Sequence, residues 1–332
     1  DRSNYCADEV IETIYFGGGT PSLLSKSEIQ QFLDQIYSQF EVSQDVEVTL
    51  EANPDDCNET SLQHWKEIGV NRLSIGIQSF KSSDLEWMNR AHNSQEAEQC
   101  VLLAQSVGFD NITVDLMYGL PGLSEEEWRN HIQKVIDWGV PHISSYCLTV
   151  EENTLLDRKV KSGELKVAND EEESRQFEIL VETLSHNGIE QYEISNFSKP
   201  GFESRHNSNY WKGVQYLGIG PSAHSFQGES RQWNVANNAR YMKNVEEGTT
   251  YFEIEMLSSA DRFNELILTG LRTVYGVSLS QLSEIQEVSS NFQFSIQQFK
   301  SQGWMEENNG RIFLTKEGRL RADFIASELF IA

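Results

Sequence analysis

The sequence predicts an α/β protein: a full or partial (β/α) barrel, followed by a small, mainly helical, winged-helix-like module. Three observations lead there. Short β-branched and apolar runs alternate with amphipathic helical patterns from Glu12 to Ile194. Polar groups recur at the C-terminal ends of those runs. From about Leu257 the rhythm changes to helices and one tight hairpin.

The strand candidates are Glu12–Phe16, Val46–Glu51, Arg72–Ile77, Asn111–Met117, His142–Leu148 and Glu190–Ile194. Repeated β–α alternation implies parallel strands joined by right-handed crossovers, and six of them favour a barrel over a flat doubly wound sheet, although periodicity alone closes no ring. Ile29, Phe32, Leu33, Ile36 and Phe40 recur at helical spacing behind a capping box formed by Ser25 and Glu28. Ser124 and Glu127 frame a second box ahead of Trp128, Ile132, Val135 and Ile136, and Phe177, Leu180, Val181 and Leu184 mark a third helix. The polar strand ends are Gly17–Thr20, Glu51–Asn53, Gln78–Ser79, Asp115 and Tyr146–Cys147. In a parallel barrel these ends open on one face, where active sites sit. Any one of them is equally an ordinary turn or cap; five in succession point to a site.

Residues 195–250 break the rhythm with an aromatic, polar, glycine-rich run that is expected to fold in part over the open mouth. The first domain is therefore expected to span 1–250 and the second 251–332. In the second, Phe263, Leu266, Ile267 and Leu271 form one helix and Phe292 to Phe299 another. Asn309-Gly310 predicts a type I′ hairpin turn, and a final helix is expected over Glu317–Phe330. Winged helices often bind DNA, but this region holds seven basic and eleven acidic residues, which favours a packing or lid role.

The chain has 332 residues and a net charge of −25, which argues against a nucleic-acid groove. No run approaches the ~18 apolar residues of a membrane span, and no signal peptide is visible. Cys6, Cys57, Cys100 and Cys147 lie far apart, the usage of a reduced, cytoplasmic protein, and burial is the role expected of the last three. Asp1 stands about ten residues before the first strand, so an upstream segment is expected.

In Tyr15–Ser25, "YFGGGTPSLLS", three glycines follow a strand and let backbone groups approach a ligand without a Cβ in the way. The P-loop pattern is absent, so a phosphate cradle and a grip on an α-amino group remain equal readings. Glu51 can accept from ribose hydroxyls or an ammonium group, Gln78 both donates and accepts, Arg90 can pair with a carboxylate, and Asp115 ends an apolar strand. Together they suit a zwitterionic, ribose-bearing small molecule; a salt bridge or a cap accounts for each alone.

The motifs "IYFGGGTPSLL", "LEANP", "NRLSIGIQSF", "DLMYGLPG" and "SSYCLTVEENT", with "NELILTGLRT" near the C-terminus, resemble the radical S-adenosylmethionine (SAM) family of oxygen-independent coproporphyrinogen III oxidases and their relatives. The resemblance implies the partial barrel of that family. It also implies a SAM site at Gly18, Gly19, Thr20, Glu51, Gln78, Arg90 and Asp115. Within the family, "HNSNYW", His206 to Trp211, resembles the motif of the HemW-type haem chaperones, which deliver haem to haem proteins. On that reading His206 ligates the haem iron, with Asn207 beside it, and Tyr210 and Trp211 present flat faces to the macrocycle. On spacing alone, a loop held by His206 and Asn207 with the aromatics in the core explains the motif better. His224 is a weaker candidate.

One departure stands out. The family's C-x-x-x-C-x-x-C motif, whose thiolates hold a [4Fe–4S] cluster, is absent from this chain, and its place would be just upstream. The cluster is thus expected only in a longer protein, where SAM would act as a structural or regulatory ligand. The expected function is haem transfer to acceptor haem proteins, with no nucleic acid and no membrane span, leaving room for transient contact with membrane haem proteins. The first alternative is oxidative decarboxylation of coproporphyrinogen III. The second is another barrel enzyme with Glu51 and Asp115 as acid and base.

Overall fold

The computed structural model describes residues 5–6 and 9–331. Two compact units divide it: Ile11–Ser204, and the described residues up to Val10 together with those from Arg205 onward.

The first unit is a seven-stranded sheet in the order β1-β2-β3-β4-β5-β7-β6. Its strands are β1 (Ile11–Phe16), β2 (Val42–Ala52), β3 (Arg72–Gln78), β4 (Ile112–Tyr118), β5 (His142–Cys147), β6 (Glu190–Glu193) and β7 (Asn196–Ser198). β1 to β5 are parallel neighbours. Between them run α1 (Lys26–Gln39), α2 (Glu59–Glu67), α3 (Ser82–Trp87), α4 (Ser94–Ser106) and α5 (Glu125–Asp137), then α6 (Leu155–Lys161) and α7 (Asp170–His186). Both expected capping boxes are formed, at Ser25–Glu28 and Ser124–Glu127.

The sixth strand differs from expectation. Glu190–Glu193 turns straight back through Ile194 and Ser195 into β7, and β7 pairs antiparallel with β5. A parallel return needs a crossover of a dozen or more residues, whereas two suffice for a hairpin. β6 is consequently left at an edge and the sheet stays open, a half-barrel.

Strand alternation sorts the faces. Val48, Leu50, Leu73, Ile75, Ile112 and Val114 are fully buried and form one core with the helix residues Ile29, Leu33, Leu62, Val101, Trp128 and Ile132. The alternate positions carry Glu47, Thr49 and Glu51 on β2, Arg72 and Ser74 on β3, Thr113 and Asp115 on β4, and His142 and Ser144 on β5. Closed (β/α) barrels fill their interior with branched apolar side chains. Here that face is polar, the composition of a cavity for a polar ligand.

The second unit begins with α8 (Arg205–Trp211). The sheet β10-β9-β8 follows, made of β8 (His224–Phe226), β9 (Ser230–Asn234) and β10 (Phe252–Met256), with α9 (Asn238–Glu246) between the last two. Then come α10 (Ser259–Leu271), β11 (Val277–Ser278), α11 (Leu279–Ile285), α12 (Ser290–Ser301) and the hairpin β12 (Met305–Asn308) to β13 (Arg311–Leu314), with β11 completing its sheet. Asn309 and Gly310 have φ of 50° and 71°, as a type I′ turn requires. Phe263, Ile267, Phe292 and Ile296 are buried at the centre. The final helix is not continuous: α13 (Lys316–Arg319) ends where Arg321 N–H returns to Gly318 O, and α14 (Ala322–Glu328) starts afresh. A Cβ on Gly318 would lie 1.9 Å from Trp304 O, so close backbone packing selects glycine there. Of residues 195–250 only β7 joins the half-barrel sheet; Arg205 onward groups with the C-terminal residues.

Candidate functional site

The loop after β1 answers its glycines separately. A Cβ on Gly17 would stand 2.3 Å from the Tyr15 ring and 2.9 Å from Glu51 Oε1, so that position has no space. Gly18 and Gly19 have φ of 77° and 65°, two left-handed residues in a row. Thr20 precedes the short turn Pro21–Leu23. Glu51 fastens the loop: its Oε2 accepts from Gly18 N at 3.0 Å and its Oε1 from Tyr15 Oη at 2.6 Å. Burial and the Glu51 carboxylate both push the Tyr15 phenol up.

Next on the polar face is Ser74, opposite Glu51 in register, which donates to Asp115 at 3.3 Å. Asp115 is pushed up to about 7, first by burial and then by the Glu51 carboxylate, against hydrogen bonds from Ser74 and Ser144. Tyr146 on β5 is only partly enclosed, and that enclosure and then Asp115 raise its phenol. The Glu51 charge thus acts on Asp115, whose carboxyl holds its proton part of the time near neutral pH.

At the end of β3 the ladder slips: Gly76 faces Asp115 and Gln78 faces Leu116, leaving Ile77 as the extra residue of a bulge. Ser79 N–H returns to Ile77 O at 2.9 Å while Gln78 has φ of 70°. That is a γ-turn of positive φ, the rare and strained kind. A non-glycine residue held there costs of order 1–3 kcal/mol, and such strain collects at ligand sites. Arg90 Nη2 donates to Gly76 O at 2.6 Å and to Asn53 Oδ1 at 3.0 Å. A Cβ on Gly76 would meet Gln78 Nε2 at 3.0 Å and Arg90 Nη2 at 3.1 Å, so both donors converge over the bare Gly76 backbone.

Gly18, Glu51 and Asp115 therefore form one continuous rim with Ser74 and Tyr15, and Gln78 and Arg90 form its neighbour around Gly76. Gly19 and Thr20 lie in the same loop as Gly18. Tyr15 and Ser74 escaped the sequence reading as rim residues, whereas Asn53 stood among its polar strand ends. Counting back by two along β3 from Gln78 would have found Ser74, whereas Tyr15 reads as a core aromatic until Glu51 is seen to accept from it.

The described residues offer a cluster no home: among them no three His, Cys, Asp or Glu side chains converge on a metal. Cys57 and Cys100 are buried side by side, and the Cys57 thiol also reaches Asn53 O at 3.4 Å. Cys6 is buried in the other unit, and Cys147 is only half-buried, its thiol pushed up to about 12 by burial and then by Glu173.

In the second unit, "HNSNYW" is a helix and not a loop. Four-residue spacing brings His206 and Tyr210 together, with ring centroids 5.0 Å apart and planes at 88°. Tyr210 continues to Tyr216 at 4.5 Å, and Tyr216 stacks on Phe226 at 6.2 Å. Tyr210 is exposed, and burial pushes its phenol up to about 12. Burial also pushes His206 down to about 4, so its imidazole is neutral at pH 7 and keeps a lone pair. The same helical spacing pairs Trp211 with Asn207 and turns it away from His206. The Trp211 ring packs under the Arg272 guanidinium at 5.5 Å, which gives it a structural partner at the C-cap of α10. His224 sits over Trp233 at 6.5 Å, apart from this row.

Known proteins carry the same parts. The sequence pattern of the radical SAM superfamily matches residues 4–135, and that of the HemN C-terminal domain matches residues 257–321. A protein named heme chaperone HemW from Bacillus subtilis is 34% identical over 93% of this chain and 83% of its own length. One of the same name from Mycobacterium tuberculosis is 32% identical over 96% of this chain and 80% of its own. Among solved structures, the Escherichia coli coproporphyrinogen III oxidase HemN, a radical SAM enzyme, superposes with a TM-score of 0.84 over 99% of this chain and 80% of that one. At 20% identity that likeness concerns the fold alone. With a half-barrel of polar lumen, a strained rim and a His–Tyr helix already in place, and relatives of one name matching almost end to end, the chain belongs to the HemW family of the radical SAM superfamily.

Proposed function

We propose that the chain binds haem on the His206–Tyr210 face of α8 and passes it to acceptor haem proteins, while the rim of the half-barrel holds S-adenosylmethionine. The observation that carries the haem reading is the His206 ring set edge-on to the exposed Tyr210, with the half-buried Tyr216 and Phe226 continuing the aromatic row. A neutral ring nitrogen can ligate iron without first losing a proton, and flat exposed rings cover a macrocycle without enclosing it. A carrier that must release its cargo needs such a one-sided grip. Asn207 and Trp211, on the adjoining face, then support α8 and do not touch the porphyrin. This narrows the site expected from the sequence to His206 and Tyr210 and extends it to Tyr216 and Phe226.

For S-adenosylmethionine, Gly18, Gly19 and Thr20 offer bare backbone, and Gln78 and Arg90 offer donors to a carboxylate. Asp115 and Glu51 supply the negative charge that suits a sulfonium and an ammonium group. Glu51 already accepts from Gly18 and Tyr15, so part of its role is to hold the loop. When bound, the cofactor supplies a sulfonium centre beside these carboxylates. The [4Fe–4S] cluster that the superfamily implies finds no ligands among the described residues, and none of this depends on it. Decarboxylation of coproporphyrinogen III has only the shared fold in its support. Among the described residues no helix is long and apolar enough to cross a membrane.

Haem titration followed by absorbance tests the assignment. His206→Ala weakens haem binding at least tenfold and shifts the Soret band, and Tyr210→Ala weakens it by a smaller factor with the band in place. Trp211→Phe leaves haem affinity within threefold. An unchanged affinity and spectrum in the His206→Ala protein removes the iron ligand and the reading with it.

A further inference from the structure

His92 lies in the loop between α3 and α4 and had no part in the site read from the sequence. It is 3% exposed, and its Nε2 stands 3.1 Å from Ile77 O. A carbonyl can only accept, so Nε2 carries the proton and donates. Its other nitrogen has no hydrogen-bond partner among the described residues; Asp55 Oδ1 stands 4.0 Å from it. Among the described residues the buried imidazole therefore makes one hydrogen bond.

That one bond falls on the carbonyl at the head of the strained turn. Ile77 O accepts from Ser79 N–H, which closes the γ-turn around Gln78, and from His92. Two positions earlier in the same loop, Arg90 donates to Gly76 O, the preceding carbonyl. The bulge leaves Ile77 without a partner on β4, and two side chains of one loop hold its carbonyl and that of Gly76. With the Ile77 carbonyl fixed, the Ile77–Gln78 peptide plane cannot flip, and the positive φ of Gln78 persists.

We propose that His92 is a positioning residue for the half-barrel rim: by pinning Ile77 O it keeps the γ-turn that aims the Gln78 amide over Gly76. The proposal rests on the reading that Gln78 faces S-adenosylmethionine, and the test separates the two.

Calorimetric titration of S-adenosylmethionine into the native protein, His92→Leu, His92→Gln, Gln78→Ala and the Gln78→Ala/His92→Leu pair supplies one arm. His92→Leu, which lacks the donor, weakens binding about tenfold, and His92→Gln, which keeps an amide N–H, recovers to within threefold of native. Gln78→Ala costs a similar factor, and adding His92→Leu to it costs nothing more, because the two act through one amide. Native affinity in His92→Leu while Gln78→Ala is weak overturns the positioning role, as does full additivity in the double variant. Native affinity in Gln78→Ala overturns the rim as the cofactor site, and the proposal falls with it. The second arm needs no ligand: hydrogen exchange at the Ser79 amide speeds at least tenfold in His92→Leu, or in His92→Met should the leucine variant not fold. Exchange at Val114 stays native in either. Unchanged Ser79 exchange in a folded donorless variant refutes the pin.

Discussion

Replacing Arg72 with leucine lowers the unfolding free energy by about 3–5 kcal/mol, the range for removing one partner of a buried, charged network. Arg72 is 1% exposed on the polar face of the half-barrel, below the rim. Its Nη1 donates to Asn111 Oδ1 at 2.5 Å and Phe202 O at 3.2 Å, and Nη2 donates to Thr113 Oγ1 at 2.7 Å. Burial lowers its pKa, and the attraction of Glu47, itself buried, opposes that first among the neighbouring acids. Leucine fills part of the volume but removes a positive charge that Glu47 attracts and leaves three acceptors without their donor. Arg72→Lys does little better, since one ammonium group cannot reproduce a fork that reaches three acceptors at fixed angles. Glu47→Gln added to Arg72→Leu recovers a part of the loss. Urea unfolding of the four proteins measures this, and a loss below about 1 kcal/mol in Arg72→Leu would mean that the network does not hold the lumen together.

How far the fold could be read beforehand follows from where each signal resides. β1 to β5 and the capped helices were legible because alternation and caps are local: Ser25 and Ser124 each find their glutamate three residues on. The pairing of β7 was not, since Asn196–Ser198 is three residues with no apolar period and its partner β5 lies some fifty residues earlier. The rim splits the same way. Glu51, Gln78 and Asp115 are polar residues at the ends of apolar strands and announce themselves. His92 does not, because its meaning depends on a carbonyl fifteen positions away that the bulge leaves unpaired. In "HNSNYW" the residue types were legible and the geometry was not. The motif has no amphipathic period to mark it as helical, and only the helix separates His206 and Tyr210 from Asn207 and Trp211.

The polar lumen makes stability depend on pH through Asp115. In an unfolded chain an aspartate titrates near 3.9, whereas here burial and Glu51 push it up to about 7. The folded protein binds this proton more tightly than the unfolded one, so the stabilisation is complete below about pH 4 and is lost as the pH rises through about 7. Asp115→Asn resembles the protonated form at every pH. The variant is therefore within about 1 kcal/mol of the native protein near pH 4.5 and more stable at pH 8, by about 2–4 kcal/mol at 1.36 kcal/mol for each pKa unit. Glu51→Gln removes the second cause of the shift and moves the native transition to lower pH, though it also releases Gly18 and Tyr15. Parallel stability curves for the native and Asp115→Asn proteins from pH 4.5 to 8 would contradict the buried proton. Occupancy couples to the same proton: a sulfonium or ammonium group beside Asp115 favours the carboxylate and expels it. Binding of S-adenosylmethionine at pH 7 accordingly releases a fraction of a proton, read as a dependence of binding enthalpy on the ionisation enthalpy of the buffer. In Asp115→Asn that dependence vanishes, and if it persists unchanged the cation does not sit against this carboxylate.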